Sequence, residues 1–185
     1  SNLDQLQLAQ AGLSIEADQL ITDAYGRTQM PNIYLAGDVR LRRAGSVAMA
    51  FARVSALHAV GQPTAPVDLN SITVTFCSNP QVAKVGQLSA DDGSIETIEI
   101  PFSACIKAHI VGNTDGLFKL AWDKQGRITG GLAMGYQAAD ALTPVALAIQ
   151  QQATLNDLTA MYAPHPTVSE LPFIAARAHN GGLPT

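Results

Sequence analysis

The sequence predicts an α+β fold, an antiparallel sheet with helices on one face, preceded by a shorter and incomplete α/β segment. Three observations carry that expectation. Beyond residue 66 the β-branched, strand-like runs come first and the helix-period runs come last, as in a sheet whose helices are segregated to one side. Between residues 44 and 61 apolar residues recur at helical spacing directly after a short apolar run, the order of an α/β unit. Gln62-Pro63-Thr64-Ala65-Pro66 separates the two patterns with two prolines and no periodicity. The expected organisation is therefore 1–65 and 66–185.

In order, residues 3–13 read as a short helix closed by Gly12 at its C-cap. Ile15 to Thr22 reads as an edge strand and Asp23-Ala24-Tyr25-Gly26 as a turn. Asn32-Ile33-Tyr34-Leu35-Ala36-Gly37-Asp38 is a short apolar run closed by Gly-Asp, which reads as a buried parallel strand emerging into a loop. Ala44 to Gly61 places Val47, Ala50, Phe51, Val54 and Leu57 on one helical face. After the linker, 71–76, 95–102 and 117–122 read as strands. Asp123-Lys124-Gln125-Gly126 is a hairpin turn, and the Gly-rich stretch 127–134 returns beside the strand before it. Gln137 to Gln151 carries Ala138, Ala141, Leu142, Val145, Ala148 and Ile149 on one face; Pro144 should kink this helix or make Thr143 a local N-cap. Thr154-x-x-Asp157 opens one more helix, ending near Tyr162.

Composition narrows the functional classes. A chain of 185 residues holds one sizeable core, or one domain plus part of another. Its charged fraction of 14%, beside 47% hydrophobic residues, points to surface that a partner covers. A net charge of −4 argues against nucleic-acid binding, and the basic cluster Arg40, Arg42 and Arg43 reads as a solvated loop or a phosphate neighbour. No apolar run reaches the roughly 20 residues of a membrane span. The polar opening Ser1-Asn2 does not read as a secretory signal, so a cytoplasmic setting is expected. Cys77 and Cys105 form no C-x-x-C or ligand pattern and read as buried or inert thiols. None of the four histidines, 58, 109, 165 and 179, stands at metal spacing to a second ligand, so no metal is expected.

One hexapeptide carries chemistry: His165-Pro166-Thr167-Val168-Ser169-Glu170. Pro166 disfavours helical geometry at His165, which should sit on an extended or turn segment, with Glu170 at the start of the next element. A carboxylate against one ring nitrogen fixes the tautomer and stabilises imidazolium, leaving the other nitrogen to move protons near neutral pH. Thr167-x-x-Glu170 also fits a capping box, in which Glu170 only bonds the helix start. The two readings compete for the same carboxylate.

Taken together, these segments resemble the C-terminal part of the pyridine nucleotide–disulfide oxidoreductases, the flavoprotein family of dihydrolipoamide dehydrogenase and glutathione reductase. Arg27-Thr28 through Pro31-Asn32-Ile33-Tyr34-Leu35-Ala36-Gly37-Asp38-Val39 is similar to the family's second flavin motif, an apolar strand ending in Gly-Asp. Asn79 to Gly86 resembles the opening of its dimerisation domain, and 113–120 with Ile128-Thr129-Gly130-Gly131 its central hairpin. His165-Pro166-Thr167-x-x-Glu170 resembles its C-terminal catalytic motif. Four motifs in this order favour the catalytic reading over the capping box. The resemblance implies that Asp38, beside Gly37, bonds the ribitol of FAD. It implies that His165 is the acid–base delivered to the disulfide of the other subunit, with Glu170 holding its ring, and that the His165–Pro166 bond is cis. It also implies a homodimer, a small-molecule or lipoyl-type disulfide substrate, and FAD and NAD(P) in the complete protein.

Several family features are absent from these 185 residues: both G-x-G-x-x-G fingerprints and the C-x-x-x-x-C redox pair. The chain therefore reads as the tail of a flavin domain, 1–65, followed by a dimerisation domain, 66–185. Alone it is expected to bind no cofactor and to lack reductase activity. The stretch Phe102-Ser103-x-x-x-Lys107-Ala108, the Asn113–Gly116 turn and the tail after Glu170 look closest to dihydrolipoamide dehydrogenases. A glutathione reductase-like enzyme, or a dimerisation module with no catalytic duty, are the rival readings.

Overall fold

The structure is a computed structural model and describes residues 6–16, 19–37 and 44–181. The chain divides into two units, Ser1–Leu69 and Asn70–Thr185. Among the described residues no helix is long and apolar enough to cross a membrane.

In the first unit, a 3-10 turn at Leu8–Ala11 is closed by Gly12 in the left-handed conformation, φ +75°. It stands where a longer helix was expected. The expected edge strand is instead a hairpin of two-residue strands, β1 (Ile15–Glu16) and β2 (Gln19–Leu20). Residues 32–37 also depart from the expectation, because no parallel strand forms there. Tyr34 makes a single antiparallel bridge to Arg27, while the Ile33 carbonyl and Leu35 N–H bond Thr28 and Gly26. A parallel strand needs neighbours to take its backbone groups. Among the described residues of this unit the 26–28 turn takes them instead. Helix α1 (Gly45–Ala59) forms as its periodicity requires and buries Val47, Phe51 and Val54.

The second unit contains a five-stranded antiparallel sheet. Its strands are β3 (Val74–Phe76), β4 (Gln81–Gly86), β5 (Ile95–Pro101), β6 (Leu117–Asp123) and β7 (Ile128–Gly135), in the spatial order β3-β4-β7-β6-β5. Register aligns Ala83, Ala133, Phe118 and Ile100 in one row across four strands. All four side chains are buried. The β6–β7 hairpin is tied by Asp123, which accepts the N–H groups of Gln125 and Arg127 and pairs with the Arg127 guanidinium at 2.8 Å.

The expected helix 137–151 is two helices, α3 (Ala138–Ala141) and α4 (Thr143–Gln150), broken at Leu142, which is the N-cap of the second in place of the expected Thr143, with Pro144 in its first turn. A proline has no N–H to bond back along α3, but it suits a first helical turn. The Gly-rich character of β7 has a packing cause at Gly131. A Cβ there would lie 2.9 Å from Leu142 and 3.2 Å from Val145, so the missing side chain lets the helices approach the sheet. The remaining helices are α2 (Ile106–Ile110), α5 (Leu155–Ala160) and α6 (Leu171–His179). Strand β4 and helix α2 were not anticipated from the sequence. One core holds Phe102, Leu120, Leu142, Val145, Leu171 and Phe173 together with the strand row.

Candidate active site

Helix α5 starts on a capping box in which the Asp157 carboxylate accepts the Thr154 N–H at 2.7 Å. Those bonds hold the carboxyl below its usual 3.8. The chain leaves α5 at Met161 in an extended conformation. From there to Thr167 it forms a strap without helix or strand. Arg177, on α6, donates to the Met161 carbonyl and stacks 4.5 Å over the Tyr162 ring. The Thr167 hydroxyl donates to the Pro164 carbonyl at 2.7 Å, and the His165–Pro166 bond is cis. A 3-10 turn, Val168–Glu170, then leads into α6, which buries Leu171, Phe173, Ala175 and Ala176. The site therefore stands on a helix anchored in the core.

The two readings of Glu170 prove compatible because its carboxylate has two oxygens. Oε1 takes the Nδ1 edge of His165 at 2.8 Å, while Oε2 accepts the Thr167 N–H at 3.0 Å and closes the capping box. The cap thus locks the carboxylate in the orientation that receives the imidazole. An ionised carboxylate only accepts, so the proton between them belongs to Nδ1 and Nε2 is left as the basic nitrogen. Nε2 has no hydrogen-bond partner among the described residues, and the imidazole is 66% exposed against 18% for Glu170. A half-buried, fixed carboxylate behind an exposed imidazole can orient the ring while protons pass through Nε2.

The other residues singled out in the sequence lie elsewhere. Gly37, in the first unit, adopts φ +87°, and among the described residues no atom beyond its chain neighbours lies within 4 Å of where a Cβ would stand. Asp38 and the Arg40, Arg42 and Arg43 cluster lie outside the described residues. Of the two thiols expected to be buried or inert, Cys105 is buried and Cys77 is exposed. Among the described residues no group of three or more His, Cys, Asp and Glu side chains gathers as metal ligands would. Cys105 is the residue that sequence reading missed at the site: its thiol lies 3.1 Å from the Thr167 carbonyl. The 62 positions between them left no local signal to find it by.

Comparison with known proteins bears on this arrangement. Residues 72–175, more than half of the chain, match the family described as pyridine nucleotide-disulphide oxidoreductase, dimerisation domain. Dihydrolipoyl dehydrogenase from Geobacillus stearothermophilus is 33% identical over 97% of this chain and 40% of its own length. An NAD(P)H dehydrogenase (quinone) from Mycobacterium tuberculosis is 30% identical over 91% of the chain and 36% of its own. The crystal structure of LpdA from Mycobacterium tuberculosis superposes with a TM-score of 0.87 at 28% identity, covering 96% of this chain and 40% of that one. This chain thus spans about two fifths of the length of these relatives. It belongs to the pyridine nucleotide–disulfide oxidoreductases, related to dihydrolipoyl dehydrogenase, and carries their dimerisation domain.

Proposed function

We propose that the chain supplies the dimer interface and the His165–Glu170 acid–base pair of a flavin-dependent, dihydrolipoamide dehydrogenase-type disulfide oxidoreductase. The observation that carries this reading is the exposed imidazole backed by a fixed carboxylate at 2.8 Å. In the complete protein Nε2 of His165 would accept the proton of a substrate thiol as the resulting thiolate attacks the redox disulfide of the other subunit, forming a mixed disulfide while the second sulfur of the broken S–S bond leaves as thiolate. The same nitrogen would return that proton in the reverse direction, with Glu170 holding the ring in both. The thiolate, not the thiol, is the nucleophile, so proton removal at this point governs the exchange.

Gly37 and Asp38 would hold FAD. The open, side-chain-free backbone at Gly37 fits the approach of a hydroxyl-rich chain. The chemistry supplied by bound FAD is two-electron transfer between the dithiol and NAD(P). In this reading 1–65 is the end of the flavin domain and 66–185 the interface domain. Limited proteolysis should then cut within the exposed segment 61–66, releasing a stable C-terminal piece. Equal protection across the linker would count against that division.

The dimer part of the reading is supported by apolar side chains left in the open. Met161 and Tyr162, on the strap beside His165, are 53% and 83% exposed, and Leu147 on α4 is 57% exposed. Covering such groups favours association. Sedimentation of the chain should give a species of twice its 19.4 kDa, and a monomer at all concentrations would refute self-association.

A second reading, reduction of a quinone, is favoured by the Mycobacterium tuberculosis relative of that name. The complete protein, assayed with lipoamide, glutathione disulfide and a quinone, separates the possibilities. Lipoamide turnover that depends on His165 supports the proposal. Quinone turnover indifferent to His165, with no disulfide reduced, would replace it.

A further inference from the structure

We propose that Cys105 is a positioning residue: its thiol grips the carbonyl of Thr167 and so fixes the turn on which His165 and Glu170 meet. The inference rests on the acid–base reading of that pair. Cys105 stands in extended conformation just before α2, fully buried in the main core, and its Sγ donates across to the Thr167 carbonyl at 3.1 Å. Thr167 is the residue on which the site turns. Its N–H binds Glu170 Oε2 at 3.0 Å, its hydroxyl binds the Pro164 carbonyl at 2.7 Å, and its carbonyl also accepts the Glu170 N–H at 3.3 Å. Three of these four bonds stay within the strap and its turn. The thiol bond is the one that ties this residue to the core under α2.

A thiol can donate only while protonated, and the surroundings of Cys105 keep it so. Burial pushes it up from its ordinary 9.0, and the negative charge of Glu170 adds to that. Lys107 and the N–H groups of Lys107 and Ala108 act in the opposite direction and are outweighed. The strap is held on its other side by Arg177 at Met161 and Tyr162, so His165 lies between two anchors. Loosening one of them leaves the pair present but misaimed. Since S–H is a weak donor, the expected effect is a reduced rate rather than loss of function.

The test compares Cys105→Ala and Cys105→Val, which lose the donor, with Cys105→Ser, which keeps one. In the complete enzyme the two apolar variants should lower kcat about 3–10-fold with KM unchanged, and serine should restore it. In the chain alone, the His165 Nδ1–H resonance should broaden through faster exchange in the same two variants and sharpen again in serine. Wild-type kcat with an unchanged imidazole resonance in the apolar variants overturns the proposal. So does a serine variant as impaired as alanine, which would make Cys105 a packing residue only. In the unsubstituted chain the Cys105 S–H stretch should lie below that of exposed Cys77, and coincident bands would deny the bond without any mutation. The two readings fail separately. Full turnover in His165→Ala sinks the acid–base assignment, while the resonance and the stretch still report whether the thiol orders the turn.

Discussion

In the complete protein, His165→Ala is expected to lower kcat for disulfide reduction by about 10²–10⁴-fold, the usual contribution of a general acid–base. FAD content and dimer formation should be unchanged, because the imidazole is 66% exposed and its single hydrogen bond among the described residues is to Glu170. Glu170→Gln should fall between wild type and His165→Ala, for a reason visible in the geometry. A carboxylate offers one oxygen to His165 Nδ1–H and the other to Thr167 N–H. An amide has one oxygen and one NH₂, so it satisfies one of these donors and turns a donor toward the other. Either the ring loses its orienter or the turn loses its cap, the latter costing about 0.5–2 kcal/mol. Steady-state rates with lipoamide, flavin absorbance and sedimentation check all three points together. Full activity in His165→Ala would reduce Glu170 to a helix cap, and loss of flavin or of the dimer would make the motif mainly structural.

What could be read in the sequence was what local chemistry dictates. The Asp123–Gly126 turn, the strands on either side of it, α1 and the α3–α4 break before Pro144 all depend on neighbours within a few positions. That His165 and Glu170 meet was legible for the same reason, since Pro166 and the capping pattern act over five residues. Strand β4 was not, because Gln81–Gly86 is a short segment that mixes buried, half-buried and exposed positions. Helix α2 has five residues, too few to display a period. The run 32–37 misled because its apolar content suits a buried strand, whereas pairing depends on neighbours that a local pattern does not reveal. Cys105 was illegible in the same sense, as its partner is fixed by tertiary packing and not by spacing.

Phe118→Ala is expected to cost about 3–5 kcal/mol, among the largest effects of any single truncation in the second unit. Its ring is fully buried in β6, in the row Ala83–Ala133–Phe118–Ile100. Two of its three companions in that row are alanines, which have no side-chain rotamers with which to swing into the space left behind. The cavity term should therefore stay near its full size instead of being relieved by collapse. The chain's single tryptophan, Trp122, lies in the same strand and is 5% exposed, so its fluorescence tracks the unfolding of this core. In guanidinium the midpoint should fall with the slope unchanged, the signature of lost stability without a change in the surface exposed. Phe76→Ala removes the same ring from β3, where it is 61% exposed, and should cost about 1 kcal/mol or less. A Phe118→Ala loss as small as that of Phe76→Ala would mean that the helices above the sheet settle into the cavity. The close approach of Leu142 and Val145 at Gly131 would then be a compliant contact and not a fixed one.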